Sequence, residues 1–160
     1  MSPNQPNTSH GIITNPPKFC ILINGINDAA GVMKPEYYSH YTIQIIQALL
    51  KRKIKPILLE LPEFGLNETI DQASLINKTK NTLLSWSRGQ SLNETINTYR
   101  KTLKEKLISE HIMEDIIYIP YHTICGDYKK CLDLYKDQCH LNKKGIELLN
   151  KEIVKSIDNN

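Results

Sequence analysis

A chain of 160 residues, 40% hydrophobic and 23% charged, is long enough for one domain with a real core and too short for two comfortable ones. Its formal net charge of +3 is carried by scattered rather than clustered Lys residues, which argues against a nucleic-acid footprint and reads as solvated helix faces. No apolar run approaches the roughly 20 residues that a membrane-spanning helix needs.

Residues 1–17, rich in Pro, Asn, Ser and Thr, read as a flexible lead-in. They lack the apolar core of a signal peptide, but an upstream segment would be free to carry one, so the compartment stays open. The domain is expected over residues 18–160. Its first element is Phe19 to Ile23, a short continuous apolar run that reads as a fully buried strand with Cys20 as a buried thiol. "GIND" follows. Gly25 permits a tight turn or a positive φ, Asn27 offers an amide donor suited to a developing oxyanion, and Asp28 is able to bond nearby backbone amides. Taken alone, these four residues are better read as an ordinary Asn-Asp turn.

Pro35 suits the first turn of a helix over Glu36 to Lys51, with Tyr38, Thr42, Ile45, Ile46 and Leu49 on its inner face. "KPILLELP" is the next strand, with Ile57, Leu58 and Leu59 buried, opened by Pro56 and closed by Pro62. A helical or irregular region runs on to Gly89 and contains Trp86, which suits packing or the cover of a site. The segment Asn93 to Ser109 is an amphipathic helix: Ile96, Tyr99, Leu103 and Leu107 point inward, and Arg100, Lys101 and Lys104 outward. The phrase "LNETI" occurs twice, with Asn67 and Asn93 as candidate N-caps. A third strand, Ile116 to Ile119, leads into a loop from Tyr121 to about His140. The last helix starts near Asn142 and turns Ile146, Leu149, Ile153 and Ile157 inward.

Strands alternating with helices imply a parallel sheet covered on both faces, with ligands bound outside the carboxyl ends of the strands. "GIND" sits at one such end, and the loop before the last helix at another. That loop holds Asp137 and His140, three residues apart. In a turn this spacing lets the carboxylate accept from imidazole Nδ1 and leaves Nε2 as a base. A surface Asp beside a partly buried His fits the same spacing. Cys125, Cys131 and Cys139 are too irregularly spaced for a zinc site, and a disulfide between Cys125 and Cys131 is compatible with the sequence without being established by it. The four sequons, at Asn7, Asn67, Asn77 and Asn93, are best explained by chance in so Asn-rich a chain.

Taken together, Gly25-Ile26-Asn27-Asp28 after a strand and Asp137-Gln138-Cys139-His140-Leu141-Asn142 before the last helix resemble the third and fifth blocks of the SGNH hydrolases, the GDSL esterases and lipases. "LLELP" looks like the family's fourth strand, and "INTYRKTLKEKL" like the helix before its fifth. The resemblance covers roughly residues 18 to 157. It implies a flavodoxin-like α/β fold, a three-layer α/β/α sandwich with a parallel sheet. It also implies acyl transfer from an ester or thioester to water through an acyl-serine. Asn27 would donate to the oxyanion, His140 would be the base and Asp137 would orient it, with Gly25 and Asp28 shaping the loop. Neither a metal nor an organic cofactor is implied, and the implied partner is a small-molecule ester.

The sequence departs from the family at the nucleophile. No G-D-S occurs: Gly126-Asp127 is followed by Tyr128. Gly11 lies too close to Asn27 to be the family's second oxyanion donor. Ser9 would act from a flexible tail and forgo the advantage of fixed geometry. Ser39, Ser85, Ser87 and Ser91 fall in or near helices. The first one or two strands of the family's sheet, ordered 2-1-3-4-5, therefore have no counterpart here. Phe19 to Ile23 would become an apolar edge that invites self-association or a complementing chain. A truncated gene, a split enzyme, a non-catalytic relative and an excised domain each fit. The alternatives in function are a non-catalytic or split binding module on the same scaffold and, more weakly, a nucleotide-binding domain, since no Gly-rich phosphate loop follows any strand.

Overall fold

The computed structural model describes residues 16–30, 33–63, 92–137 and 140–160. Among the described residues three apolar runs form strands: β1 (Phe19–Leu22), β2 (Lys55–Leu59) and β3 (Ile117–Ile119). They pair in parallel in the order β1-β2-β3, with Ile21 beside Ile57 and Ile57 beside Ile117. Among the described residues four α-helices accompany them: α1 (Ile26–Ala30), α2 (Pro35–Lys51), α3 (Leu92–Ser109) and α4 (Lys143–Asp158). The chain is thus of the α/β class.

Strand side chains alternate between two faces, and each face has its own apolar cluster. Leu58, with Leu22 and Tyr118 at its margin, packs under α2 and α3 against Tyr38, Ile43, Ile46, Ile96, Tyr99, Leu103 and Leu107. Ile57, Leu59, Ile117 and Ile119 face the other way, toward Ile153 of α4 and the loop residues Tyr121, Ile124, Tyr128, Leu134 and Tyr135. β2, central and covered on both sides, has its last four residues buried, as its unbroken apolar run requires.

Several sequence-based expectations need correction. β1 is not fully buried: Phe19, Cys20 and Leu22 are half-buried, and Ile21 and Ile23 are exposed. Among the described residues β1 pairs on one side only, and α4 packs over β3, at the far side of the sheet. In α2 the inner face is Tyr38, Ser39, Thr42, Ile43 and Ile46, whereas Ile45 is exposed. Ser39 tolerates its place on this inner face because its hydroxyl donates to the Pro35 carbonyl at 2.7 Å. α3 begins at Leu92, so Asn93 is its second residue rather than its cap. In α4, Ile153 is buried and Leu149 and Ile157 are partly so, but Ile146 is exposed and Leu148 takes the inner place. Asn142 caps α4, its side chain accepting from Gly145 N at 3.1 Å.

Among the described residues, no helix is long and apolar enough to cross a membrane. Asn67 and Trp86 lie outside the described residues, as do Ser9, Gly11, Ser85, Ser87, Ser91 and Cys139.

Candidate functional site

The turn after β1 is shaped by a close approach of an aromatic ring. Gly25 has φ +99°, and a Cβ there would lie 2.2 Å from Cε2 of Tyr38. Only glycine tolerates both the backbone and the contact. The Tyr38 ring stacks on Tyr99, with centroids 5.1 Å apart, and burial pushes the Tyr38 hydroxyl well above its ordinary pKa. Tyr99 in turn donates its hydroxyl to the carbonyls of Asp28, at 3.1 Å, and of Met33. Gly25 O accepts from Ala29 N at 3.0 Å, opening the short helix α1. Asn27 is therefore held in the first turn of α1 with its side chain exposed, and Asp28 beside it is half-buried. It is the main-chain carbonyl of Asp28 that ties this loop to α3. Before the turn, Asn24 Nδ2 donates to Thr42 Oγ1 at 3.1 Å.

The second loop closes on itself before α4. Tyr135 and Leu141 form an isolated antiparallel bridge, Lys136 N donates to His140 O at 2.8 Å and Asn142 N to Leu134 O at 2.8 Å. Asn142 Nδ2 adds bonds to Asp133 O at 2.8 Å and Tyr135 O at 3.2 Å. Gly145 is buried against this loop, where a Cβ would meet Leu134 O at 2.4 Å. The chain reversal places Asp137 and His140 together. Both carboxylate oxygens of Asp137 lie 2.9 Å from His140 Nδ1, and one also accepts from His140 N at 2.9 Å. His140 keeps 72% of its side chain exposed. At the rim, Lys144 pairs with Asp133 and holds that carboxyl below its usual range.

Between the two loops, at the carboxyl end of β2, lies a polar cluster that sequence reasoning missed. Glu60 accepts from Tyr118 Oη at 2.6 Å and from Tyr121 N at 2.9 Å. Arg100, expected to point outward, instead reaches back to the sheet. It donates to Leu61 O through Nε at 2.8 Å and lies 4.0 Å from Glu60 and 3.7 Å from Glu63. The signal was present: Arg100 stands four residues after Ile96 and three before Leu103, on the flank of the buried stripe, where a long side chain covers apolar surface while its head finds a partner. Burial, then Glu60, pushes the Tyr118 hydroxyl far up. Tyr121 and Tyr135 share a hydroxyl–hydroxyl bond of 2.7 Å, and burial raises both.

Cys125 and Cys131 form a disulfide with Cα atoms 6.0 Å apart, which settles the pairing the sequence left open. Among the described residues no group of three or more His, Cys, Asp or Glu side chains is arranged to hold a metal ion. The described serines are all occupied: Ser39, Ser109 and Ser156 each donate to a carbonyl of their own helix.

Both candidate loops leave the carboxyl ends of parallel strands, β1 and β3, which flank β2 at a spacing of roughly 10 Å from one another. No protein-family model matches the sequence, and no curated protein does. A solved structure does match. The chain is similar in fold to a GDSL-like lipase. That protein, from Bacteroides thetaiotaomicron, superposes with a TM-score of 0.60 at 18% sequence identity, over 89% of this chain and 63% of the lipase. The chain therefore spans less than two thirds of that protein's length, and at this identity the likeness is one of fold.

Proposed function

We propose that this chain carries the acid–base part of an SGNH-type ester hydrolase. In this reading Asp137 orients His140, His140 Nε2 is the general base, Asn27 donates to the oxyanion, and Gly25 and Asp28 shape the Asn27 loop. The attack itself forms an acyl-serine, with His140 taking the hydroxyl proton and returning it to the leaving alcohol; water then releases the acid by the same two transfers. The observation that carries the proposal is the Asp137 carboxylate on Nδ1 of a largely exposed His140, on a fold similar to that of a GDSL-like lipase.

The nucleophile comes from outside the described residues, from another serine of this chain or from a second polypeptide. Hydrolysis of p-nitrophenyl acetate tests the reading. Loss of a general base costs at least about a hundredfold, so His140→Ala should fall by that factor. An active protein whose rate survives His140→Ala sinks the assignment. The engagement of Ser39, Ser109 and Ser156 within their own helices favours a second reading, a non-catalytic binding module on this scaffold. Labelling with a fluorophosphonate separates the two: a serine adduct refutes the binding module.

A further inference from the structure

The loop bearing Asp137 and His140 is exposed, yet it is tied to the buried tyrosines beneath it. Tyr128 donates its hydroxyl to the backbone carbonyl of Asp137 at 3.3 Å. Its ring is buried and packs on Tyr135 with centroids 4.6 Å apart. Tyr135 is bonded to Tyr121, whose N–H is held by Glu60 at the end of β2. The turn that carries Tyr128, Tyr128–Lys130, is fixed at both ends. The Cys125–Cys131 disulfide spans it, and the Asp127 side chain accepts from Lys129 N at 3.1 Å. The direction of the Tyr128 hydroxyl is therefore set by the core. Asp137, by contrast, has 46% of its side chain in solvent. A carboxylate on a loop keeps a fixed partner only if its own backbone is held, and here the main-chain carbonyl of Asp137 is the atom Tyr128 grips.

We propose that Tyr128 is a positioning residue. By anchoring the Asp137 carbonyl it keeps the Asp137 carboxylate on His140 Nδ1, and so holds the neutral imidazole with its proton on Nδ1 and its lone pair on Nε2. This rests on the reading of Asp137 and His140 as an orienting pair, but not on the protein being active.

The test is the tautomer of His140, read from long-range proton–nitrogen correlation spectra of nitrogen-15-labelled protein with the imidazole neutral. The intact chain should show a predominant Nδ1–H tautomer, and Asp137→Ala should abolish that preference. Tyr128→Phe keeps the ring and removes the hydroxyl. It should lower the ratio of Nδ1–H to Nε2–H by up to about fivefold, the change one ordinary hydrogen bond makes in an equilibrium constant. Tyr135→Phe breaks a different buried bond of the same cluster and controls for general loosening. It should lower the melting temperature and leave the tautomer ratio as it was. If Tyr128→Phe leaves the ratio unchanged while Asp137→Ala shifts it, the pair stands and the role of Tyr128 falls. If Tyr135→Phe moves the ratio as far as Tyr128→Phe, the effect is loosening and the proposal is overturned. If Asp137→Ala itself changes nothing, the orienting pair and the proposal fall together.

Discussion

Replacing Gly25 with Ala tests whether the turn after β1 is fixed by Tyr38. Two costs add. An L-residue at φ +99° leaves the favoured backbone regions, at about 1–2 kcal/mol. A Cβ placed 2.2, 2.7 and 2.9 Å from three atoms of the Tyr38 ring overpacks the site, at about 1–3 kcal/mol. The ring has little room to retreat, since it stacks on Tyr99, which is itself bonded to Asp28 and Met33. A total of about 3 kcal/mol should lower the melting temperature by roughly 6 to 12 °C in a chain of this size. A double-mutant cycle with Tyr38→Leu isolates the contact. Removing the ring relieves the overpacking but not the backbone strain, so the double variant should recover about 1 kcal/mol or more relative to the sum of the singles. Simple additivity would refute the clash, and a Gly25→Ala protein that melts within 1–2 °C of the parent would refute the whole account of the turn.

Asn142→Ala should cost about 2–3 kcal/mol by thermal or urea unfolding, because one side chain caps α4 and binds two loop carbonyls. Glu60→Gln keeps the shape but turns one acceptor into a donor facing Tyr118 Oη or Tyr121 N, and should cost about 1–3 kcal/mol, measured by urea unfolding. Reduction of Cys125–Cys131, or its replacement by two serines, reopens a short loop and should cost about 2 kcal/mol, with the bond itself checked by intact mass with and without reductant. Five of the eight tyrosines, Tyr38, Tyr99, Tyr118, Tyr121 and Tyr135, have hydroxyls raised above their ordinary pKa by burial. A raised folded-state value favours the protonated fold, so this stability is whole below about pH 10 and is lost as pH climbs past it. Their phenolate absorbance should therefore appear together with the loss of near-ultraviolet circular dichroism, not before it.

The parts of the fold carried by local pattern were legible in the sequence. Continuous apolar runs marked the three strands, and the steps Ile96, Tyr99, Leu103 and Leu107 marked the buried face of α3, all four of which are buried. The proximity of Asp137 and His140 was legible too, because three residues in a turn leave little choice. What stayed hidden depends on contacts distant in the chain. Arg100 reads as a surface cation until the carbonyl of Leu61 is brought to it, and Glu60 as a strand-end charge until Tyr118 and Tyr121 arrive from β3. The exposure of Ile21 likewise depends on what lies beside β1, which no window of β1 contains.

The parallel pairing of β1, β2 and β3 also bears on how the chain comes to its folded state. No two strands are near neighbours in sequence, so none can zip as a hairpin, and each pairing must close a long loop before any hydrogen bond rewards it. During synthesis β1 and β2, with α2 between them, emerge well ahead of β3 and α4, which supply the second neighbour of β2 and the cover of its second face. Ile57 and Leu59 then wait for their partners until residues 117–153 have left the ribosome. Folding is expected to be slow and late, and a chaperone that shields this half-built sheet should raise the yield of refolded protein.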